Sequence, residues 1–405
     1  MKIGYENKFS VKVKNRLIME NRKLRMGMIG GGQGSFIGAV HRSAALLDGK
    51  IDLVCGAFSS RPEVSAQSGK DLALPADRVY SSFQEMIEKE KELPEDLRMD
   101  FVSIVTPNHA HFEPAVLALR NGFHVVIDKP VTFTLEEAKA LAKVVEETGL
   151  MLALTHTYVG YPMVKQAKDL VEKGLIGKIR KVFVEYPQGW LTKGIENSGS
   201  VQAAWRTDPQ RSGKSGCMGD IGTHAAHLAE HISGLKITHL CANLNIYGTD
   251  RVIDDDGDVL LKFEDGATGV LSASQVATGE ENALKIRIYG EKAGLEWRQE
   301  EPNSLFVKWD NQPIQIYRTG GNQVYQMCEA TGAFTRTPTG HPEGYIEAFA
   351  NIYQSFAARL LQKITGNHAE IAFPAYPDIE EGIRGMLFID RVLESNESEA
   401  KWTAF

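Results

Sequence analysis

The first 155 residues alternate short apolar runs with amphipathic stretches at a rhythm that leaves few architectures open. Leu24 to Gly30 is strand-like, Gly30-Gly31-Gly32-Gln33-Gly34-Ser35-Phe36-Ile37-Gly38 follows as a loop, and Ala39 to Leu47 reads as helix. Further strands are expected at Ile51 to Phe58, Phe101 to Val105, His124 to Ile127 and Met151 to Leu154. Helical patterns at Glu63 to Asp71, Ser82 to Lys91, Glu113 to Asn121 and Thr134 to Thr148 separate them. Strands joined through helices pair parallel to one another, so this rhythm predicts a doubly wound parallel sheet. Thr134 before Leu-Glu-Glu is a helix-start signal, and Gly122 and Gly149 stand where helices end.

After residue 155 the texture changes. Lys178 to Tyr186, Ile237 to Tyr247, Asp258 to Phe263, Thr268 to Gln275, Ala283 to Tyr289, Gly294 to Arg298, Ser304 to Trp309 and Pro313 to Arg318 are strand candidates joined mostly by short turns. Tyr345 to Ile364 and Ile379 to Ser395 are amphipathic helices that can pack back at the domain junction. The expected organisation is an N-terminal extension (1–23), a dinucleotide-binding α/β domain (24–154) and an α+β domain with a large, mostly antiparallel sheet (155–405).

A chain of 405 residues is long enough for two cores, and 43% hydrophobic with 24% charged residues is ordinary for a globular protein. The net charge of −7, with both signs interspersed, argues against a nucleic-acid partner. Apolar runs are strand-length, far below a membrane span. Residues 1–23 are basic and polar without the apolar centre of a secretory signal, so a cytoplasmic location is expected, with Met19 an alternative natural start. The four cysteines include no CxxC pair, which argues against a zinc ribbon or redox motif.

The glycine loop sits where a nucleotide site needs it, between a strand and a helix. Gly30 and Gly32 match the first two positions of GxGxxG; Ser35 occupies the third, and Gly38 arrives three residues late, as after a small insertion. A pyrophosphate would sit over the helix N-terminus, beside Gly34, Ser35, Phe36 and Ile37. The second strand ends in Ser59, Ser60 and Arg61 without an acidic residue for a ribose hydroxyl, which leans toward NADP while leaving NAD open.

Two segments carry reactive groups. Val125-Val126-Ile127-Asp128-Lys129-Pro130 delivers Lys129 at the end of an apolar strand, and Gly216-Cys217-Met218-Gly219-Asp220-Ile221-Gly222-Thr223-His224 places Asp220 and His224 on one face of a helical turn. A histidine with an ordinary pKa of about 6.5 suits proton exchange, and a lysine suits stabilisation of developing alkoxide. Asp220 could fix the imidazole or bind a substrate hydroxyl. Tyr158, Tyr161, Gln188, Trp190, Trp205, Arg206 and Arg211 flank this region and mix aromatic faces with polar groups, as a polyol site requires. Other readings are weaker. Cys217 as nucleophile competes with better roles for the nearby histidines. His227 and His231 recur at helical spacing without accompanying carboxylates, which favours packing or surface roles over metal ligation. Asp254-Asp255-Asp256-Gly257-Asp258 lacks the calcium-loop pattern and reads as a solvated turn.

With these residues in view, the chain resembles the glucose–fructose oxidoreductase, inositol dehydrogenase and rhizopine-catabolism (Gfo/Idh/MocA) family from about Arg25 to Arg391. The marks are Thr106-Pro107-Asn108 with His111, Asp128-Lys129-Pro130 where the family usually has Glu-Lys-Pro, and Gly216-x-x-x-Asp220-x-Gly222-x-His224. The resemblance implies a Rossmann domain with an open-faced sheet domain that forms dimers or tetramers. It implies NAD(P)-dependent hydride transfer at a sugar or cyclitol carbon, with Lys129, Asp220 and His224 catalytic. Thr106, Pro107, Asn108, His111 and Asp128 would then flank the cofactor, and His111 would lie near a helix start in a structural or ligand-contacting role. Two alternatives sit within the resemblance: glycoside cleavage through transient C3 oxidation by a retained NAD, and a non-catalytic sensor. Lysine and histidine remain equal contenders for immediate proton acceptor.

Overall fold

Five strands, β1 (Leu24–Gly30), β2 (Ile51–Ala57), β3 (Phe101–Val105), β4 (His124–Ile127) and β5 (Leu152–Leu154), lie parallel in the order β2-β1-β3-β4-β5. This is a computed structural model that describes residues 22–320, 327–366 and 370–405. Nearly all of the N-terminal extension, residues 1–21, lies outside the described residues. Every residue of β3, β4 and β5 is buried, as a parallel sheet covered on both faces requires.

The helices of this domain are α1 (Phe36–Leu46), α2 (Pro62–Asp71), α3 (Phe83–Glu92), α4 (Phe112–Arg120) and α5 (Leu135–Thr148). Thr134 caps α5 in a reciprocal box with Glu137, and Gly149 ends it at φ 62°. Removing such a cap costs about 1 kcal/mol.

The second sheet holds nine strands among the described residues, ordered β13-β12-β11-β10-β6-β9-β8-β7-β14. They are β6 (Ile179–Pro187), β7 (Ile237–Asn245), β8 (Asp256–Phe263), β9 (Thr268–Ser274), β10 (Lys285–Gly290), β11 (Ala293–Arg298), β12 (Ser304–Trp309), β13 (Gln315–Arg318) and β14 (Thr403–Ala404). Only β6 and β9 pair in parallel; the remaining neighbours are antiparallel.

Helix α6 (Pro162–Glu172), begun by proline at its first turn, was not expected from the sequence. With α7 (Val201–Arg206) and α8 (Thr223–Ser233) it belongs to the second domain. Helices α6 and α8 share one core with the sheet, including Tyr161, Met163, Leu228, Leu271 and Trp297. On the other face, side chains such as Leu260 stay 45% exposed.

The last two long helices return to the first domain. Phe349, Tyr353, Phe356 and Leu360 of α9 (Tyr345–Thr365) join Leu24, Met26 and Met28 of β1 in one cluster. Helix α10 (Ile379–Glu397) packs against α5 and β7. Among the described residues no helix is long and apolar enough to cross a membrane. In this strand order, β1 and β3 are neighbours whose connections leave in opposite directions, so a crevice opens beyond their carboxyl ends.

Candidate active site

That crevice is a cleft of about 1320 Å³, bounded on one side by the ends of β1 to β4 and on the other by the second domain. At its floor the glycine loop touches α1. A Cβ on Gly38 would fall 2.3 Å from the Gly31 Cα, so the late glycine supplies the close loop-to-helix contact. Ser35 caps α1 by accepting the Gly38 N–H at 3.3 Å. Gly30, Gly32, Gly34, Ser35, Phe36 and Ile37 all line the cleft. First-turn N–H groups such as those of Phe36 and Ile37 lack intrahelical partners, so the loop fits a pyrophosphate.

Ser59, Ser60 and Arg61 line the same cleft at the end of β2. The Ser59 hydroxyl accepts the Arg61 N–H at 3.2 Å, and the Arg61 side chain makes no hydrogen bond or ion pair with the described residues. Thr106, Pro107 and Asn108 follow β3 into the cleft, where Asn108 Nδ2 donates to the Ser212 carbonyl at 2.9 Å. His111 stands just before α4 and takes the structural one of its two expected roles: it is fully buried and does not line the cleft, which corrects only its placement among the cofactor contacts. Its ring nitrogens meet the Thr106 and Pro130 carbonyls, both at 2.8 Å, so it ties two strand ends together.

Asp128 Oδ1 accepts the Lys129 N–H and the Thr155 hydroxyl, each at 2.9 Å, and lies 3.9 Å from His41 Nε2. Burial alone would raise its pKa; His41 and Lys129 outweigh this and hold the carboxyl well below the usual range. The following Lys129–Pro130 peptide is cis.

Lys129 and Asp220 meet directly. Lys129 Nζ donates to Asp220 Oδ1 at 2.7 Å and to the Asp220 carbonyl at 2.6 Å, which leaves one of its three N–H groups. Asp220 Oδ2 accepts from Gln275 Nε2 at 2.9 Å and lies 3.3 Å from Arg206 Nε. Burial opposes ionisation of Asp220, but the Lys129 and Arg206 charges prevail and keep it ionised. Both carboxylate oxygens are thus engaged, and Asp220 makes no hydrogen bond to His224. Arg206 also stacks on Trp205, 4.3 Å from the ring centre, and stands 5.9 Å from Trp190.

Asp220 sits in a π turn, Met218–Gly222, that leads into α8, and His224 is on the first turn of α8. The wider turn brings the four-residue step close to a full revolution, and such turns recur at functional sites. The His224 ring stands edge-on to Tyr158 at 4.8 Å and to His156 at 5.7 Å. Its pKa departs from the ordinary value: burial first, then the Lys129 charge and His156, push it well below 6.5. The ring is therefore neutral at neutral pH, with no hydrogen bond to the described residues. His227 stacks on His156 at 4.0 Å, and His231 Nε2 lies 3.4 Å from Lys165 Nζ, so both pack behind the site.

The acidic run 254–258 corrects another expectation, because Asp254 and Asp255 are buried rather than solvated. Asp254 accepts from Ser215 Oγ and Gly216 N at 2.8 Å and from Met218 N at 2.7 Å, anchoring the segment that carries Asp220. Asp255 pairs with buried Arg251 at 2.8 Å. Cys217 is fully buried with its thiol pKa pushed well up, which removes it as a nucleophile.

Tyr158, Gln188, Trp190, Trp205, Arg206 and Arg211 line the second half of the cleft with Asp220 and His224. Tyr161 does not; it is buried against Trp297 at 5.2 Å. Sequence reasoning missed Gln275, Tyr186 and Asn282. Tyr186 and Asn282 line the cleft, and Gln275 holds Asp220 from just beyond the end of β9.

Residues 24–156 match the oxidoreductase family model with an NAD-binding Rossmann fold, and residues 164–296 match the GFO/IDH/MocA C-terminal domain. An uncharacterized oxidoreductase, YfiI, of Bacillus subtilis is 32% identical over 388 residues, 95% of this chain and 98% of that protein. The chain belongs to the Gfo/Idh/MocA family. Its first domain is therefore an NAD-binding Rossmann domain of an oxidoreductase.

Other members are similar over most of their length. An inositol dehydrogenase homologue of Azotobacter vinelandii, solved with NAD+, is 33% identical with a TM-score of 0.90, covering 95% of this chain and 98% of that one. The same homologue solved with NADH and myo-inositol is 32% identical with a TM-score of 0.87 over the same shares. Levoglucosan dehydrogenase of Pseudarthrobacter phenanthrenivorans is 28% identical over 75% of this chain and 80% of its own. Besides the nicotinamide cofactor, the small molecules named for these Gfo/Idh/MocA relatives are myo-inositol and levoglucosan.

Proposed function

We propose that the protein is an NAD(P)-dependent dehydrogenase or reductase acting on a secondary hydroxyl, or the corresponding ketone, of a sugar, glycoside or cyclitol. The observation that carries this reading is the Lys129–Asp220 contact, made in the same cleft that the glycine loop lines. A bound nicotinamide supplies the two-electron acceptor for the hydride. Everything else falls to side chains. The remaining N–H of Lys129 hydrogen-bonds the reacting oxygen and stabilises its negative charge as carbon loses hydride. Lys129, held by two oxygens of Asp220, acts as donor, so His224, whose ring makes no hydrogen bond to the described residues, takes the hydroxyl proton, a transfer that the negative charge developing on the oxygen has to drive against the proton affinity that burial and the Lys129 charge depress. Asp220 orients Lys129 and is oriented in turn by Gln275 and Arg206. The inositol dehydrogenase homologue and levoglucosan dehydrogenase support a polyol substrate.

For the cofactor we favour NADP. Ser59, Ser60 and Arg61 offer two hydroxyls and an unpaired cation among the described residues where a 2′-phosphate would lie, and no carboxylate there. The test is reduction of NAD and NADP, measured separately, with a panel of inositols, free hexoses and anhydrosugars. Substrate-dependent reduction supports the reading, and its absence with every member contradicts it.

A further inference from the structure

Five neutral side chains form one hydrogen-bonded ladder on the second-domain wall of the cleft, from beside His224 outward. Tyr158 and Tyr186 meet through their hydroxyls, and Tyr186 Oη bonds Asn282 Oδ1 at 2.8 Å. Gln188 Nε2 donates to the same Asn282 oxygen at 2.6 Å, and Trp190 Nε1 donates to Gln188 Oε1 at 3.0 Å. All five line the cleft, and none is charged.

The direction of every bond follows from one end. An indole N–H can only donate, so it fixes the Gln188 oxygen toward Trp190 and the Gln188 nitrogen toward Asn282. Asn282 must then present its oxygen, and Tyr186, facing that oxygen, must donate to it. Tyr186 has spent its only proton, so Tyr158 donates to Tyr186. Burial keeps both phenols protonated, with Tyr158 pushed up to about 12. The ladder therefore ends on a Tyr158 oxygen that is an acceptor only, on a residue whose ring centre lies 4.8 Å from that of His224. Further out, the Asn282 amide and the second Gln188 N–H remain as donors.

We infer that this ladder is the specificity-determining wall of the site, reading a neutral vicinal diol as a donor hydroxyl at Tyr158 followed by an acceptor oxygen at Asn282 and Gln188. The inference rests on the proposed dehydrogenase reading for placing the reacting carbon between Lys129 and His224. It selects an uncharged polyhydroxylated ring over a phosphorylated or carboxylated one, because none of the five ladder side chains is a cation, an anion at the inner end faces the Tyr158 lone pairs, and Arg206, 5.9 Å from the Trp190 ring at the outer end, is already engaged by Asp220. It also makes Trp190 a specificity residue through its N–H rather than only its aromatic face.

The test is calorimetric binding of myo-inositol, scyllo-inositol and D-glucose to the cofactor-saturated protein, with cofactor reduction followed in parallel. The proteins are wild type, Trp190→Phe, Asn282→Asp and Tyr158→Phe. We expect wild type to separate the two inositol epimers and Asn282→Asp to weaken the preferred one roughly tenfold or more. Trp190→Phe, by freeing both amides to turn over, should move the epimer ratio toward unity. Tyr158→Phe should weaken the preferred epimer more than the other. Equal binding of the epimers by wild type, ratios unchanged in all three variants, or no binding by any probe would overturn the ladder. Ladder-dependent binding without cofactor reduction would instead remove the dehydrogenase reading and leave the ladder standing. Cofactor reduction with unchanged ratios would do the reverse.

Discussion

Lys129 Nζ lies 2.7 Å from Asp220 Oδ1 and 2.6 Å from the Asp220 carbonyl, which joins segments from two domains across 91 positions of sequence. The contact fixes where the ammonium points. Asp220→Asn keeps the side-chain shape but removes the charge that orients Lys129. Its kcat is expected to fall about 100- to 1000-fold. Steady-state kinetics against wild type check this, with circular dichroism showing an unchanged fold.

Burial of imidazoles makes stability fall with acid. His224, His227 and His231 are all held well below 6.5, and His156 is lowered to about 3, with burial the leading cause each time. Below pH 6.5 the unfolded chain takes up protons that these folded sites refuse, so the folded state loses ground as pH drops. Each such histidine contributes up to about 1.4 kcal/mol per pH unit in that window. Denaturant unfolding at pH 7, 6 and 5 should show a steadily decreasing stability, and His227→Gln should flatten the slope.

Asp254 is a structural anchor with a functional consequence. Asp254→Ala leaves the Gly216 and Met218 N–H groups and the Ser215 hydroxyl without their buried acceptor. We expect a loss of about 2–4 kcal/mol. Asp254→Asn retains one acceptor oxygen and should lose less; urea denaturation of both variants measures the difference.

Arg61 decides the cofactor preference in the proposed reading. Arg61→Glu places a like charge beside a 2′-phosphate, so kcat/KM with NADP should fall at least about tenfold while the value with NAD falls less. A uniform fall with both cofactors would remove Arg61 from that role.

Much of this was legible in the chain because local patterns carry it. β1, β3 and β4 begin and end where their apolar runs do, and Thr134 with Glu137 and Gly149 delimits α5. Lys129, Asp220 and His224 each sit in a recognisable motif, so their convergence in one cleft was readable. Asp254 was misread because three consecutive aspartates look like a solvated turn, whereas the donors that bury it come from residues 215–218. Gln275, Tyr186 and Asn282 gave no signal. Neutral residues at or beyond strand ends acquire their roles only when tertiary pairing brings β6 and β9 side by side. His111 followed the family pattern in sequence, yet its ring nitrogens turn to backbone carbonyls rather than to the cleft.

The central claim is that hydride passes from a polyol carbon to nicotinamide under the control of Lys129. The most direct measurement is single-turnover transfer of deuterium from a carbon-deuterated inositol or sugar to the cofactor, read by mass spectrometry in wild type and Lys129→Ala. The expected result is label in the reduced cofactor with wild type and at least about 100-fold slower labelling in the variant. Label that never reaches the cofactor, or reaches it equally fast without Lys129, would contradict the assignment.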